Sequence, residues 1–217
     1  MAGTITALEI QKRNKERVNL YLDDEFALAI TVIVATSLRK GQYLSDVEIE
    51  HLKQGDEQNK AYERAVRFLG FRPRSQHEVE IYLREKGYST EISDDVVRCL
   101  VEQKYLDDKE FVRFWLDNRG QFKPRGERAL RYELRQKGVA NHLIEAALSE
   151  VDEDELAWAA VERKLDGWKN LPQLELKKKL TGFLGRRGFN YETINMINQR
   201  AQNLLDSSDS SEPFEWE

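Results

Sequence analysis

The chain has 217 residues, of which 34% are charged and 40% hydrophobic, and a formal net charge of −5 at neutral pH. A single cysteine excludes a disulfide framework, and the longest apolar run, residues 26–35, is too short to span a bilayer as a helix. With no signal peptide visible, a soluble cytoplasmic protein is the expectation.

Residues 5–10 and 18–22 are short β-prone runs joined by the charged turn Lys12-Arg13-Asn14-Lys15-Glu16, and Asp23-Asp24-Glu25 turns the chain into the apolar run 26–30. This pattern predicts a β-hairpin or a three-strand meander, with helix and strand not separable after Phe26. Ser45-x-x-Glu48 is a capping box that opens a short helix near 47–52. The polar stretch 53–60 reads as a linker.

Beyond residue 60 the chain repeats itself. Leu83 to Lys86-Gly87-Tyr88, Leu134 to Lys137-Gly138-Val139 and Leu184 to Arg187-Gly188-Phe189 are one helix-ending pattern, with glycines 51 and 50 residues apart. A fixed interval of this size marks one supersecondary unit copied in tandem. The register extends on both sides of the glycine. Val79, Leu130 and Leu180 fill one column, and Leu83, Leu134 and Leu184 the next. Past the turn, Val96 aligns with Ala147 and Ile197, and Leu100 with Val151 and Ala201. Spacings of three and four are those of a helix core face. The glycine stands where a helix C-terminus needs a left-handed residue.

A further helix precedes each pair, with stripes Ala61-Ala65-Leu69, Phe111-Trp115-Arg119 and Ala157-Val161-Leu165. Ser75-x-x-Glu78 is a capping box for the second helix of the first unit, and Asp107 opens the first helix of the second. Pro73, Pro124 and Pro172 fall between first and second helices, where the chain can break without loss. The expected fold is mainly α: three tandem three-helix repeats of about fifty residues in an elongated curved array, preceded by a small N-terminal segment containing a β-hairpin. The expected boundaries are 1–55, 56–107, 108–154 and 155–204. Residues 205–217 read as a disordered acidic tail with five acids, no base, and the aromatics Phe214 and Trp216.

The net charge conceals segregation. Residues 113–137 hold eight Lys/Arg against three acids, and 163–188 hold eight against two, while the acids gather at 150–155 and in the tail. Such a chain can turn a cationic face to a polyanion; the plainer reading is a set of solvated helix faces. His51, His77 and His142 lack ligand-spaced partners, and Gly182 to Gly188 lacks the spacing of a phosphate loop. The acid pairs at 107–108 and 152–155 sit at helix starts, where they complement the dipole. No catalytic, metal or cofactor site is expected. Arg119 interrupts an apolar column, which predicts a salt-bridged or snorkelling side chain bracing the turn at 120–126, or alternatively one that leaves the fold to meet a phosphate or acid.

Several of these motifs, in this order and spacing, resemble the RecX family. They are Arg72-Pro73-Arg74-Ser75, the Lys86-Gly87-Tyr88 turn, Tyr105-Leu106-Asp107-Asp108, Phe111-x-x-x-Trp115-x-x-x-Arg119, the Lys137-Gly138 turn and Phe183-Leu184-x-Arg186-Arg187-Gly188-Phe189. The resemblance runs from about residue 61 to residue 200, and the N-terminal Tyr21-Leu-Asp-Asp-Glu-Phe26 resembles the extension of longer family members. The acidic tail departs from it. The resemblance implies a bacterial, monomeric, non-enzymatic regulator that binds the RecA–DNA filament along its groove and restrains filament growth, strand exchange and co-protease activity. DNA itself is then met weakly or through the filament.

Candidates for contact with filament or DNA are Arg119, Arg125, Arg128, Arg131 and Arg135 in the second repeat, the last three sharing one helix face. Lys177, Lys178, Lys179, Arg186 and Arg187 are the candidates in the third repeat, and Arg72 and Arg74 in the first. Two other readings compete: a stand-alone helical DNA-binding protein, with salt-dependent affinity and no need of RecA, and a helical-repeat scaffold for an unrelated partner. The tail, as a polyanion, is a candidate electrostatic brake on the basic face.

Overall fold

An antiparallel sheet of strand order β3-β2-β1-β4 opens the chain. It comprises β1 (Gly3–Ile10), β2 (Arg17–Leu22), β3 (Glu25–Thr31) and β4 (Tyr43–Leu44), with one turn of helix, α1 (Val32–Ala35), between β3 and β4. The computed structural model describes residues 2–209. The run after Phe26 is therefore a strand that gives way to helix only at Val32. Asp23 and Asp24 make the β2–β3 turn at φ of 47° and 68°, a left-handed pair that suits a two-residue hairpin loop and that Asp tolerates. Alternation along β2 buries Val18, Leu20 and Leu22 against Ile5, Leu28, Ile30, Leu44 and Ile49.

Ser45 caps α2 with the anticipated box, but this helix runs without a break over Asp46–Leu69. The stretch 53–60 is thus helix and not linker. The reason is tertiary: Arg17 on β2 reaches both carboxylate oxygens of Asp56, one at 2.9 Å, and also donates to the Ala29 carbonyl at 2.8 Å. Lys60 adds an i,i+4 pair to the same carboxylate at 2.8 Å. The polar window pins the helix to the sheet.

The other helices are α3 (Gln76–Glu85), α4 (Thr90–Glu102), α5 (Asp108–Phe122), α6 (Glu127–Gln136), α7 (Asn141–Leu148), α8 (Glu153–Leu165), α9 (Gln173–Gly185) and α10 (Tyr191–Asp209). Taken in threes from α2, they are the three expected repeats. Each second helix ends on its glycine, with φ of 90° at Gly87, 71° at Gly138 and 85° at Gly188. In each, the N–H of the residue after the glycine returns to the leucine column: Tyr88 to the Leu83 carbonyl, Val139 to Leu134, Phe189 to Leu184. This is the Schellman closure, and all three leucines are fully buried.

Contacts divide the chain into two compact units. One comprises residues up to Arg72 with Val79–Tyr105; the other comprises Pro73–Glu78 with the chain from Leu106 on. In the first, Ala61, Ala65, Val79, Leu83, Val96 and Leu100 are buried as the columns require. In the second, the middle repeat departs from the alignment. Helix α7 stops at Leu148, so Ile144 and Leu148 are buried, whereas Ala147 and Val151 lie at the edge of that core. An eight-residue helix has two turns to offer, and it presents the residues four apart. Leu156 touches both this core and that of the third repeat. Cys99 is half-buried, and its Sγ accepts from Gln103 Nε2. Residues 205–209, expected in the tail, continue helix α10. The rest of the tail, with Phe214 and Trp216, lies outside the described residues.

Within the second unit, one junction occurs twice. The start of one repeat's second helix meets the residue before the turn glycine of the next repeat. Ser75 Oγ donates to the Lys137 carbonyl at 2.6 Å, and the Gly126 N–H to the Arg187 carbonyl at 3.0 Å. The first helical N–H is capped from the next repeat as well: Gln76 by Asp108 Oδ1 at 2.9 Å, Glu127 by Glu153 Oε1 at 2.8 Å. Unsatisfied N-terminal donors of one repeat are thereby satisfied by the acidic helix start of its successor.

Candidate basic interface

The second of these junctions brings several arginines together. Pro124 ends the connection from α5, and Gly126 gives α6 no side-chain cap of its own. The helix start is instead held against the α9 turn by the Gly126–Arg187 bond. Neither glycine has room for a side chain. A Cβ on Gly126 would lie 2.4 Å from the Gly188 carbonyl oxygen, and one on Gly188 would lie 2.6 Å from the Ala129 Cβ. This close approach forms an open groove of about 320 Å³ lined by Arg128, Ala129, Tyr132, Gly185, Arg186 and Gly188. Arg187 lies alongside, its guanidinium 3.9 Å from the Phe183 ring centroid. Burial, then the charges of Arg125 and Arg186, push the Arg187 pKa below the usual guanidinium value.

Arg119 is engaged within the fold. Its Nε donates to Glu133 Oε2 at 2.7 Å, while its guanidinium carbon stands 4.4 Å from the Trp115 ring centroid. Trp115 Nε1 donates to the same oxygen at 3.0 Å, and Arg125 Nε is 3.8 Å from the other. Lys137 Nζ is paired to Glu78 at 2.6 Å and lies 5.4 Å from the Trp115 ring centroid. A polar residue on an apolar column has thus acquired an acid and an aromatic face, as the salt-bridged reading of Arg119 expects.

The remaining candidates separate by environment. Arg131 is committed to Glu145 through two bonds of 2.8 and 2.9 Å, which hold the Glu145 carboxyl below its ordinary range. Arg135 is exposed and donates to Asn141 Oδ1 at 3.0 Å. Lys177, Lys178 and Lys179 are exposed on α9, but consecutive residues splay by about 100° around a helix and present no common face. Lys179 lies over Trp168 at 5.4 Å. Arg72 and Arg74 are half-buried on either side of Pro73. The structure therefore gathers Arg125, Arg128, Arg186 and Arg187 and leaves the lysines apart. Tyr132 and Gly185 were not singled out in the sequence. For Tyr132 a signal existed, since it lies four residues after Arg128 and three before Arg135 on one helix face.

The acid at the junction has a testable pH signature. Glu153 Oε1 accepts from the Glu127 N–H and Oε2 from Asn190 and Thr193. Burial nonetheless pushes its carboxyl above the usual value near 4.5. A carboxyl that holds its proton more tightly when folded contributes stability at low pH that is lost as the pH rises through the raised value. Glu153→Gln is therefore expected to gain stability relative to the parent as the pH rises above the usual carboxyl value near 4.5, measured by urea denaturation across a pH series. A relative loss with rising pH contradicts this.

Among the described residues, no group of three or more His, Cys, Asp or Glu side chains could hold a metal ion, and no helix is long and apolar enough to cross a membrane. Fold and surface together define a tandem three-helix-repeat protein with a small sheet at its N-terminus and a basic groove between its last two repeats. Family models for the regulatory protein RecX match in the same order: the N-terminal domain at residues 3–45 and the first, second and third three-helix domains at 61–98, 107–148 and 152–197. Regulatory protein RecX of Bacillus subtilis (strain 168) is 36% identical over 195 residues, covering 88% of this chain and 74% of that protein. That of Lactobacillus johnsonii is 34% identical over 200 residues, covering 89% and 73%. A crystal structure of regulatory protein RecX superposes with a TM-score of 0.74 at 26% identity, over 92% of this chain and all of that one. The chain belongs to the RecX family of regulatory proteins.

Proposed function

We propose that this protein is a non-enzymatic regulator of the RecA recombinase that binds the RecA–DNA filament in the cytoplasm and restrains its growth, strand exchange and co-protease activity. It would thereby act on recombination, DNA repair and the SOS response. The observation that carries the reading is the complete series of RecX domains, three of them one helical repeat. A repeated binder suits a repeated target: a monomer with three linked units can meet successive filament subunits, each contact weak, and gain affinity through effective concentration. The groove formed by Arg128 and Arg186 gives the repeats a cationic surface for an acidic filament face or its DNA.

That same groove favours one second reading, a DNA-binding protein that acts without RecA, although the net charge of −5 weighs against it. Co-sedimentation separates the two. RecA is assembled on single-stranded DNA with a non-hydrolysable ATP analogue and pelleted with this protein. Enrichment on filaments over bare DNA and over free RecA is expected. Equal recovery with bare DNA favours the second reading.

A further inference from the structure

Another groove in the second unit, of about 540 Å³, lies between α5, the α7–α8 connection and α8, and it is apolar and acidic. Leu116, Val151 and Leu156 line it, each half-buried, with part of its surface on the core of the middle repeat and part in water. Asp117, Asp152 and Glu155 stand exposed beside them. Asp117 has no ion-pair partner among the described residues. Asp152 uses Oδ1 alone, for the Asp154 and Glu155 N–H groups at 3.1 and 3.0 Å. Glu155 meets Arg200 at 2.7 Å, but both side chains are exposed and solvent screens the pair. Arg163 approaches the same rim, where its Nη2 donates to the Gln121 carbonyl at 3.1 Å. A partner that covers this groove needs an apolar side chain with cations beside it.

The chain carries such a ridge on α9. Leu174 is 65% exposed. Lys177 and Lys178, three and four residues on, lie one turn further along the helix. Both are exposed, and neither has an ion-pair partner among the described residues. The two lysines diverge by about 100° around the axis, so they straddle the line of the leucine. Their aliphatic stems can lie along apolar walls while the ammonium groups reach acids on either side. A lone exposed leucine is ordinary; one set between unpaired lysines is complementary to an apolar groove ringed by acids.

We propose that the α9 ridge of one copy docks in this groove of a second copy, with Leu174 against Leu116, Val151 and Leu156 and the two lysines on Asp117 and Glu155. Ridge and groove are different surfaces of one chain, so the contact is heterologous. Each copy in a pair keeps one of them free, and association runs on past the dimer. One helix face covers less than the roughly 1,200 Å² of a stable interface, so the contact is weak and the dilute chain is monomeric. Copies bound beside one another on a repeating target meet at effective concentrations of the order of mM, where such a contact makes loading cooperative. That use rests on the filament reading; the contact itself is tested without RecA, so that either can fail alone.

The test is sedimentation velocity of the full-length protein at low salt, from about 10 µM to about 1 mM, the upper end matching the effective concentration on a target. The weight-average sedimentation coefficient of the parent is expected to rise with concentration, to pass the dimer value and to fall back when salt is raised. Leu174→Ala, a change at an exposed position, is expected to weaken association about fivefold or more. Asp117→Lys with Glu155→Lys, and separately Lys177→Glu with Lys178→Glu, should each abolish it while preserving the circular dichroism spectrum. An equimolar mixture of these two double variants should associate again, because the reversed ridge of one meets the reversed groove of the other. Arg98→Glu, a charge reversal on α4, should associate as the parent does. A parent that stays monomeric at the highest concentration overturns the proposal. So does parental association in Leu174→Ala or in either double variant, or a mixture that stays monomeric. Association that stops at a dimer overturns it in favour of a two-fold interface elsewhere on the surface.

Discussion

Gly188→Ala is expected to destabilise the second compact unit by about 3 kcal/mol, whereas Gly87→Ala should cost the first only about 1–2 kcal/mol. The two glycines look equivalent in the repeat, and their φ values, 85° and 90°, are nearly the same. Both substitutions therefore carry the left-handed penalty. The surroundings differ. A Cβ on Gly87 meets nothing within 4 Å, while one on Gly188 lies 2.6 Å from Ala129 Cβ and 2.8 Å from its backbone nitrogen. The junction must open before the added methyl group can be accommodated, and the Gly126–Arg187 hydrogen bond is lost with it. Urea denaturation of both variants, monitored by circular dichroism, measures the difference. Equal losses would show that the junction makes no contribution beyond the turn.

Glu133→Ala is expected to cost about 2–3 kcal/mol, since hydrogen bonds to a charged group contribute roughly 1.5–3 kcal/mol each and these are only partly sheltered. Glu133 accepts from Trp115 Nε1 and Arg119 Nε on one oxygen, at 3.0 and 2.7 Å, and stands 3.8 Å from Arg125 on the other. Its removal strands a half-buried cation and an indole N–H together. Glu133→Gln keeps an oxygen that can accept from both donors but loses the charge, and should lose about half as much. If alanine and glutamine variants unfold at the parental midpoint, Arg119 is held by the tryptophan face alone.

The repeat was legible because its signals are local: a glycine after each second helix, apolar columns four residues apart and caps such as Ser75 and Asp107 act within one or two turns of helix. Where the structure departs from the sequence pattern, the deciding partner is remote. The stretch 53–60 has the composition of a linker, and Asp56 becomes a buried anchor only through Arg17, 39 residues away. Gly55 interrupts the window, but the capping box at Ser45 and the Asp56–Lys60 spacing are signals for a continuous helix. The core positions of the middle repeat's last helix are displaced from the aligned columns because alignment by interval does not register that α7 is cut to two turns.

The same division applies to the basic surface. Its arginines were individually visible as candidates, and of the two readings that Arg119's breach of an apolar column left open, the structure shows a partner within the fold, Glu133. That Arg128 and Arg186 share one groove while Arg131 is bound to Glu145 depends on the Gly126–Gly188 approach, which no helical period encodes. The recurrence of that junction at Ser75–Lys137 gave the two copies different chemistry, a hydroxyl in one and a bare backbone amide in the other, and so concealed their kinship in the sequence.

The central claim is that this protein restrains the RecA filament, and RecA-dependent ATP hydrolysis on single-stranded DNA tests it most directly, with the protein titrated from far below one molecule per RecA. The account predicts inhibition at substoichiometric ratios, because a binder that spans successive subunits and restrains growth acts on many monomers at once. Unchanged hydrolysis at saturating ratios, with the protein folded and DNA in excess, would contradict it.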